Sequence, residues 1–175
     1  MPVQIVCLVG EGGSGKSAIA KRALEYGFTQ IKSLTTRAPR NAADFDTHVF
    51  VNDERFEELR SQLAAYTLFH GYKYGATFDQ IRDNHIYVVD SKGVRDLSKS
   101  LGRKNFMVIK IDTSRDERLL RMIAERGAKA AYDRAEFDDV DMANFTDYDL
   151  LLTNEVPEDL DNCVKELVSH LKRLF

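Results

Sequence analysis

Residues 10–17 read Gly-Glu-Gly-Gly-Ser-Gly-Lys-Ser and follow directly on the apolar run Ile5-Val6-Cys7-Leu8-Val9. Such a junction leaves the fold little choice. A buried strand must carry the chain into the glycine turn, and a helix, expected over about 15–26, must leave it. Glycines let successive backbone N–H groups converge on one anion without Cβ clashes. The helix N-terminus adds unpaired donors and partial positive charge. Lys16 suits the β- and γ-phosphates of a nucleoside triphosphate, and the Ser17 hydroxyl suits Mg²⁺. Gly10, Gly12, Gly13, Ser14, Gly15, Lys16 and Ser17 are thus read as a triphosphate site. A glycine turn that binds nothing is the bland alternative, and all four filled consensus positions with the correct flanks weigh against it.

The remainder of the chain agrees with an α/β fold of the P-loop NTPase type, three layers around a mostly parallel five-stranded sheet. Strands are expected at 4–9, 30–34, 86–90, 106–112 and 149–152, and helices at 53–64, 91–101, 114–126, about 130–144 and from 157 onward. Gly27, Gly102 and Gly127 read as helix ends, Ser114 as an N-cap and Pro157 as a first-turn residue. In the last helix Leu160, Val164, Leu167, Leu171 and Leu174 share one face, a core stripe. Residues 36–77 break the alternation with short β-like pieces at 48–51, 66–69 and 72–76, and read as a small antiparallel insertion. Residues 127–134 read as a second irregular segment. Two closing lids over the loop are therefore expected.

At 175 residues the natural count is one domain. Its expected parts are a core of 1–34 and 78–175, an insertion of about 35–77, and a helical lid of about 121–145. A net charge of −3 with interspersed signs gives no field for a nucleic acid polymer. The N-terminal apolar run is too short to cross a membrane, and Cys7 and Cys163 read as core residues of a reducing compartment. The expectation is a cytoplasmic enzyme, monomer or homodimer. A guanine-reading Asn/Thr-Lys-x-Asp is absent, since 153–156 read Thr-Asn-Glu-Val, which argues against a GTPase. A motor or AAA-type ATPase is usually longer and carries a more acidic second motif than Ile86-Tyr87-Val88-Val89-Asp90. A small kinase remains. Asp90, at the C-terminal end of its strand, is the candidate to orient metal-bound water.

Ser33 to Arg40 read Ser-Leu-Thr-Thr-Arg-Ala-Pro-Arg, and 71–77 read Gly-Tyr-Lys-Tyr-Gly-Ala-Thr. With Val49-Phe50-Val51 and Phe56, Val89-Asp90 and Gly93-Val94, Arg126-Gly127, and Asn154, the order and spacing resemble the guanylate kinase family over nearly the whole chain. The resemblance implies ATP-dependent phosphoryl transfer, with Mg²⁺, to a (deoxy)nucleoside monophosphate, GMP or dGMP by family. It also implies that Ser33, Arg37, Arg40, His48 and Tyr74 hold the acceptor. Arg121, Arg126 and Arg134 correspond to lid arginines at the ATP phosphates and the moving phosphoryl group, with Arg121 one residue out of register. Lys16, Arg37, Arg121 and Arg134 are the catalytic candidates, and Asn154 falls near the adenine.

Physical chemistry supports part of this independently. Arg37 and Arg40, three apart on a segment stiffened by Pro39, form two guanidinium forks suited to a phosphate monoester. His48 stands where the family has tyrosine and is expected to donate to phosphate, better when protonated. Between Arg40 and Phe50, Asn41-Ala42-Ala43 replaces a Gly-Glu pair and the segment is one residue shorter. The two carboxylates that read guanine fall on Ala65 and Val88, while Ser33 is kept. The phosphate grip survives without the guanine-reading acids, which opens the base specificity. Two other acceptor classes follow: a phosphorylated sugar such as ribose 1,5-bisphosphate, or a phosphopeptide bound without catalysis by a module of this shape. The intact Lys16-Ser17 argues against the last.

Overall fold

The computed structural model describes residues 3–175. β1 (Val6–Val9) is buried at every position because the sheet is covered on both faces. Its side chains alternate between two cores. Cys7 and Val9 join Val94, Leu97, Phe106 and Val108 on one side. Val6 and Leu8 join Ile19, Ile109, Cys163 and Leu167 on the other. The second core lies under α1 (Lys16–Ala23) and α7 (Pro157–Leu174), whose predicted stripe is buried or half-buried in it.

Four parallel strands build the main sheet in the order β6 (Ile86–Val88), β1, β7 (Met107–Asp112), β8 (Leu150–Thr153). The fifth strand expected at 30–34 is reduced there to a single parallel bridge between Gln30 and Ile86. The chain then crosses to a second sheet as β2 (Ser33–Thr35). That sheet has the order β3 (His48–Phe50), β2, β5 (Tyr72–Thr77), β4 (Leu63–Phe69). It is mixed rather than wholly antiparallel, because β2 and β3 run parallel, and it takes in residues 33 and 34, which the expected boundary assigned to the core.

Several helices differ from expectation for local reasons. The helix expected over 53–64 stops as α2 (Asp53–Glu58), since Leu63 and Ala65 are claimed by pairing with Thr77 and Ala76 in β5. α3 (Phe78–Asp83) was hidden by its shortness, although Thr77 and Gln80 form a reciprocal capping box. Residues 91–101 divide into α4 (Ser91–Leu97) and a wider turn at Ser98–Gly102. The segment 127–134, expected to be irregular, is helical. α5 (Arg115–Arg126) and α6 (Ala128–Met142) are separated by Gly127 alone, with φ 84° and ψ 160°. Its alanines favour helix, and Lys129–Asp133 adds an i,i+4 pair. No helix among the described residues is long and apolar enough to cross a membrane.

The α7 stripe gives a direct check on this packing. Leu167 is fully buried, so Leu167→Ala is expected to lower the unfolding free energy by about 2–5 kcal/mol in urea titration. A loss within experimental error would show that the face is not closely packed.

Candidate functional site

The parallel sheet directs the C-terminal ends of β1 and β6 to one edge, where open α/β sheets bind ligands. Val88 pairs with Leu8, so Asp90 arrives beside the loop after β1. Around this edge lies a cleft of about 710 Å³. Gly10, Gly12, Gly13, Gly15, Lys16 and Ser17 line one wall, and Ser33, Arg37, Arg40, His48 and Tyr74 line another. Asp90, Arg121, Arg126 and Arg134 also face it. Nearly every residue singled out in the sequence is thereby gathered in one place.

The loop is wedged from behind. A Cβ on Gly13 would lie 2.7 Å from the Arg118 carbonyl oxygen, and one on Gly15 would collide with the Asn154 amide. Both glycines have left-handed backbone, φ 79° and 95°, and Gly15 caps α1. Ser14 is buried within the turn. Lys16 Nζ donates to the Glu11 carbonyl at 2.8 Å and to Ser14 Oγ at 3.3 Å. Burial, with Arg134 nearby, pulls the Lys16 ammonium down to about 8.

Two expected ATP contacts turn out to brace this loop. Asn154 is buried behind it and donates from Nδ2 to the Ser14 carbonyl at 2.8 Å, rather than lining the cleft. Arg121 donates to the carbonyls of Gly13, Asn154 and Glu155 at 3.0–3.3 Å and pairs with Glu117. Its guanidinium is therefore spent largely on holding α5 against the loop. Arg126 pairs with Glu125 at the cleft rim, and Arg134 pairs with the buried Asp138 at 2.9 Å.

On the acceptor side, the registers Ser33↔His48 and Thr35↔Tyr74 bring strands β2, β3 and β5 together beneath the arginines. Arg37 donates from Nε to Tyr74 Oη at 3.2 Å and from Nη1 to Asp44 Oδ2 at 2.8 Å. Arg40 donates from Nη2 to Asp44 Oδ1 at 2.8 Å, and its amide to Oδ2 at 2.7 Å. Asp44 was missed in the sequence. It replaces nothing in the motif, and its only signal was an acid four residues after Arg40. One buried carboxylate thus fixes two arginines, leaving a net positive charge for an incoming anion. The Arg40 and Arg37 hydrogen bonds hold the Asp44 carboxyl well below the usual range.

Burial, reinforced by Arg37, pulls the His48 pKa below the usual imidazole value, which disfavours the protonated form of the ring in this cleft. It hydrogen-bonds through Nδ1 with Thr47 Oγ1 at 2.8 Å and packs edge-on against Tyr74.

Asp90 accepts from the Gly93 amide at 2.7 Å and from Thr67 Oγ1 at 3.1 Å, both on Oδ1. It is at once the N-cap of α4 and a cleft carboxylate; burial raises its pKa. A hydroxyl at Ser17 and a carboxylate at Asp90 are hard oxygen donors, a set that fits Mg²⁺ carried mainly by phosphates. Asp138 and Asp141 on α6 also face the cleft and were not anticipated. Their i+4 and i+7 spacing from Arg134 was the available signal.

A strand, a glycine loop and a helix N-terminus at the carboxyl edge of a parallel sheet, facing an arginine pair across one cleft, define a P-loop nucleotide-binding fold. Comparison with known proteins sharpens this. The guanylate kinase family model matches residues 3–174, and the chain belongs to that family. Its fold is similar to that of a guanylate kinase from Anaplasma phagocytophilum, at 24% identity, covering 97% of this chain and 87% of that one, with a TM-score of 0.65. TT1252 from Thermus thermophilus matches at 16% identity over 97% and 98% of the two chains, TM-score 0.52. An uncharacterized protein from Eubacterium ventriosum matches at 17% over 97% and 99%, TM-score 0.52. No curated protein matches the chain.

Asp44→Asn isolates the carboxylate under the arginine pair. A carboxyl depressed in the folded state adds stability above its unfolded pKa of about 3.9, and this is lost as pH falls below that value. The variant is expected to lose about 1–3 kcal/mol at pH 7 and to show a flatter decline between about pH 4 and pH 2. Urea midpoints across that range measure it; parallel acid limbs would show that Asp44 is not paired.

Proposed function

We propose that the protein transfers the γ-phosphoryl group of ATP to a nucleoside monophosphate, giving ADP and a nucleoside diphosphate. The observation that carries this reading is the single cleft with the Lys16 loop on one wall and the Arg37–Arg40–Asp44–Tyr74 cluster on the other. Phosphoryl transfer asks for two anions held in line and for the migrating charge to be neutralised. The loop amides and Lys16 hold the donor's phosphates. Arg37 and Arg40, spaced by Asp44, hold the acceptor's phosphate, and Tyr74 is aligned by Arg37. Ser17 and Asp90 are the residues that would hold Mg²⁺, which would supply positive charge to offset the negative charge of the triphosphate. Arg134 and Arg126 are the cations positioned to meet the transferred group from α5 and α6, while Arg121 and Asn154 keep the loop in shape.

The acceptor's base meets a different surface from the one the family uses for guanine. Ala65 is buried and Val88 lines the cleft, so neither position supplies a carboxylate to accept from N1–H and an exocyclic amine. Each such lost partner removes about 1–3 kcal/mol of discrimination. The preference for GMP over other monophosphates is expected to be weak.

Three measurements test the reading. Lys16→Ala is expected to abolish magnesium-dependent ADP release while preserving the circular dichroism spectrum; normal turnover would remove the loop from the mechanism. Arg37→Ala is expected to raise KM for the monophosphate by about tenfold or more, and KM for ATP by less than about twofold. Equal effects on both substrates argue against the clamp. A panel of ribo- and deoxyribonucleoside monophosphates is expected to give several active acceptors, and activity confined to GMP and dGMP would mean that another group reads guanine.

A further inference from the structure

The Gly12 amide, part of the loop read above as the donor site, is already engaged. It donates to Asp138 Oδ2 at 2.6 Å, and Arg134 Nε donates to the same oxygen at 2.9 Å. Asp138 is only 3% exposed. It is the one polar member of the buried stripe Ala131, Ala135, Asp138, Met142 on α6. A carboxylate in such a stripe is costly unless donors meet it, and the donors here are a loop amide and a lid arginine. The arrangement is that of an anion seated at the phosphate cradle.

The same turn of α6 grips the opposite wall of the cleft. Phe137 packs edge-on against Phe69, with ring centroids 4.7 Å apart at 81°. The Arg134 guanidinium lies 4.6 Å from the Phe69 ring centroid. Phe69 leads into the β4–β5 turn, a two-residue hairpin loop in which His70 and Gly71 hold left-handed φ values of 48° and 79°. One helical turn thus joins the donor loop, through Asp138, to the acceptor-side hairpin, through Phe137 and Arg134.

We propose that Asp138 is an internal occupant of the donor's terminal-phosphate position, and that triphosphate binding expels it and loosens the α6 grip on the Phe69–His70 turn. The inference rests on the donor-site reading above. Two anions cannot share the Gly12 amide, since like charges at that distance repel. A phosphate offers Arg134 a stronger, fork-matched partner than a single carboxylate oxygen does. Arg134 therefore exchanges Asp138 for the phosphate that is to be transferred. Because the cradle accepts donor only when Asp138 has left, the apparent donor affinity is reduced by the fraction of molecules in the latched form.

Calorimetric titration of the full chain with magnesium AMP-PNP and with magnesium ADP tests this. Asp138→Asn is expected to tighten AMP-PNP by about tenfold and ADP by less than about twofold, because only the triphosphate reaches the contested position. Unchanged or weaker AMP-PNP binding, or equal tightening of both nucleotides, overturns the proposal. Should Asp138→Asn fail to fold, Phe137→Ala decides the matter, since that side chain is 43% exposed. Releasing the hairpin is expected to tighten AMP-PNP by about threefold, and no change overturns the latch. If wild-type protein binds neither nucleotide, the donor-site reading itself is wrong; if it binds both and the variants leave the affinities unmoved, only the latch is.

Discussion

The shape of the loop after β1 depends on the close approach of four neighbours. The Ile111 and Arg118 carbonyls, the Asp138 carboxylate and the Asn154 amide each stand where a side chain on a loop glycine would have to be. Their pressure keeps the backbone in left-handed turns and aims its amides inward. The loop is therefore shaped as much by the ends of β7 and β8 and by α5 and α6 as by its own composition. Arg121 and Asn154 belong to this scaffold, and their hydrogen bonds to loop carbonyls show how distant segments enforce a local conformation.

The acceptor side follows the same logic with charge in place of packing. Two guanidinium groups held near one another repel, and a pair left to solvent would diverge. Asp44 resolves that repulsion by accepting from both, and β2, β3 and β5 supply the platform on which Tyr74 and His48 complete the surface. The arginine pair and Asp44 draw on none of the positions, Ala65 and Val88, at which the family's guanine-reading acids would stand.

Between the two half-sites runs α6, and its placement gives the site a mechanical character. Arg134, Phe137, Asp138 and Asp141 occupy the face that looks into the cleft. Binding at one wall and contact at the other are thus read by the same few residues, over a helix joined to α5 by a single glycine. Such a joint concentrates any change of angle at one backbone position.

The sequence by itself determined the loop, the parallel strands β1, β6, β7 and β8, the α7 stripe and the arginine pair, because each rests on local periodicity or on a fixed residue spacing. Eight consecutive residues suffice to read Gly10–Ser17, and a buried strand announces itself by its apolar run. Tertiary structure decided what local pattern could not. Residues 30–34 became one bridge and a strand of the other sheet, and Leu63 and Ala64 left the expected helix for strand β4. Residues 127–134 became helix by packing α6 on α5. Asp44, Asp138 and Asn154 acquired their roles only when remote backbone and arginines were brought within hydrogen-bond reach. A carboxylate's meaning lies in its partners, and here those partners are 4, 7 and 126 residues away for the acids and 140 for the amide.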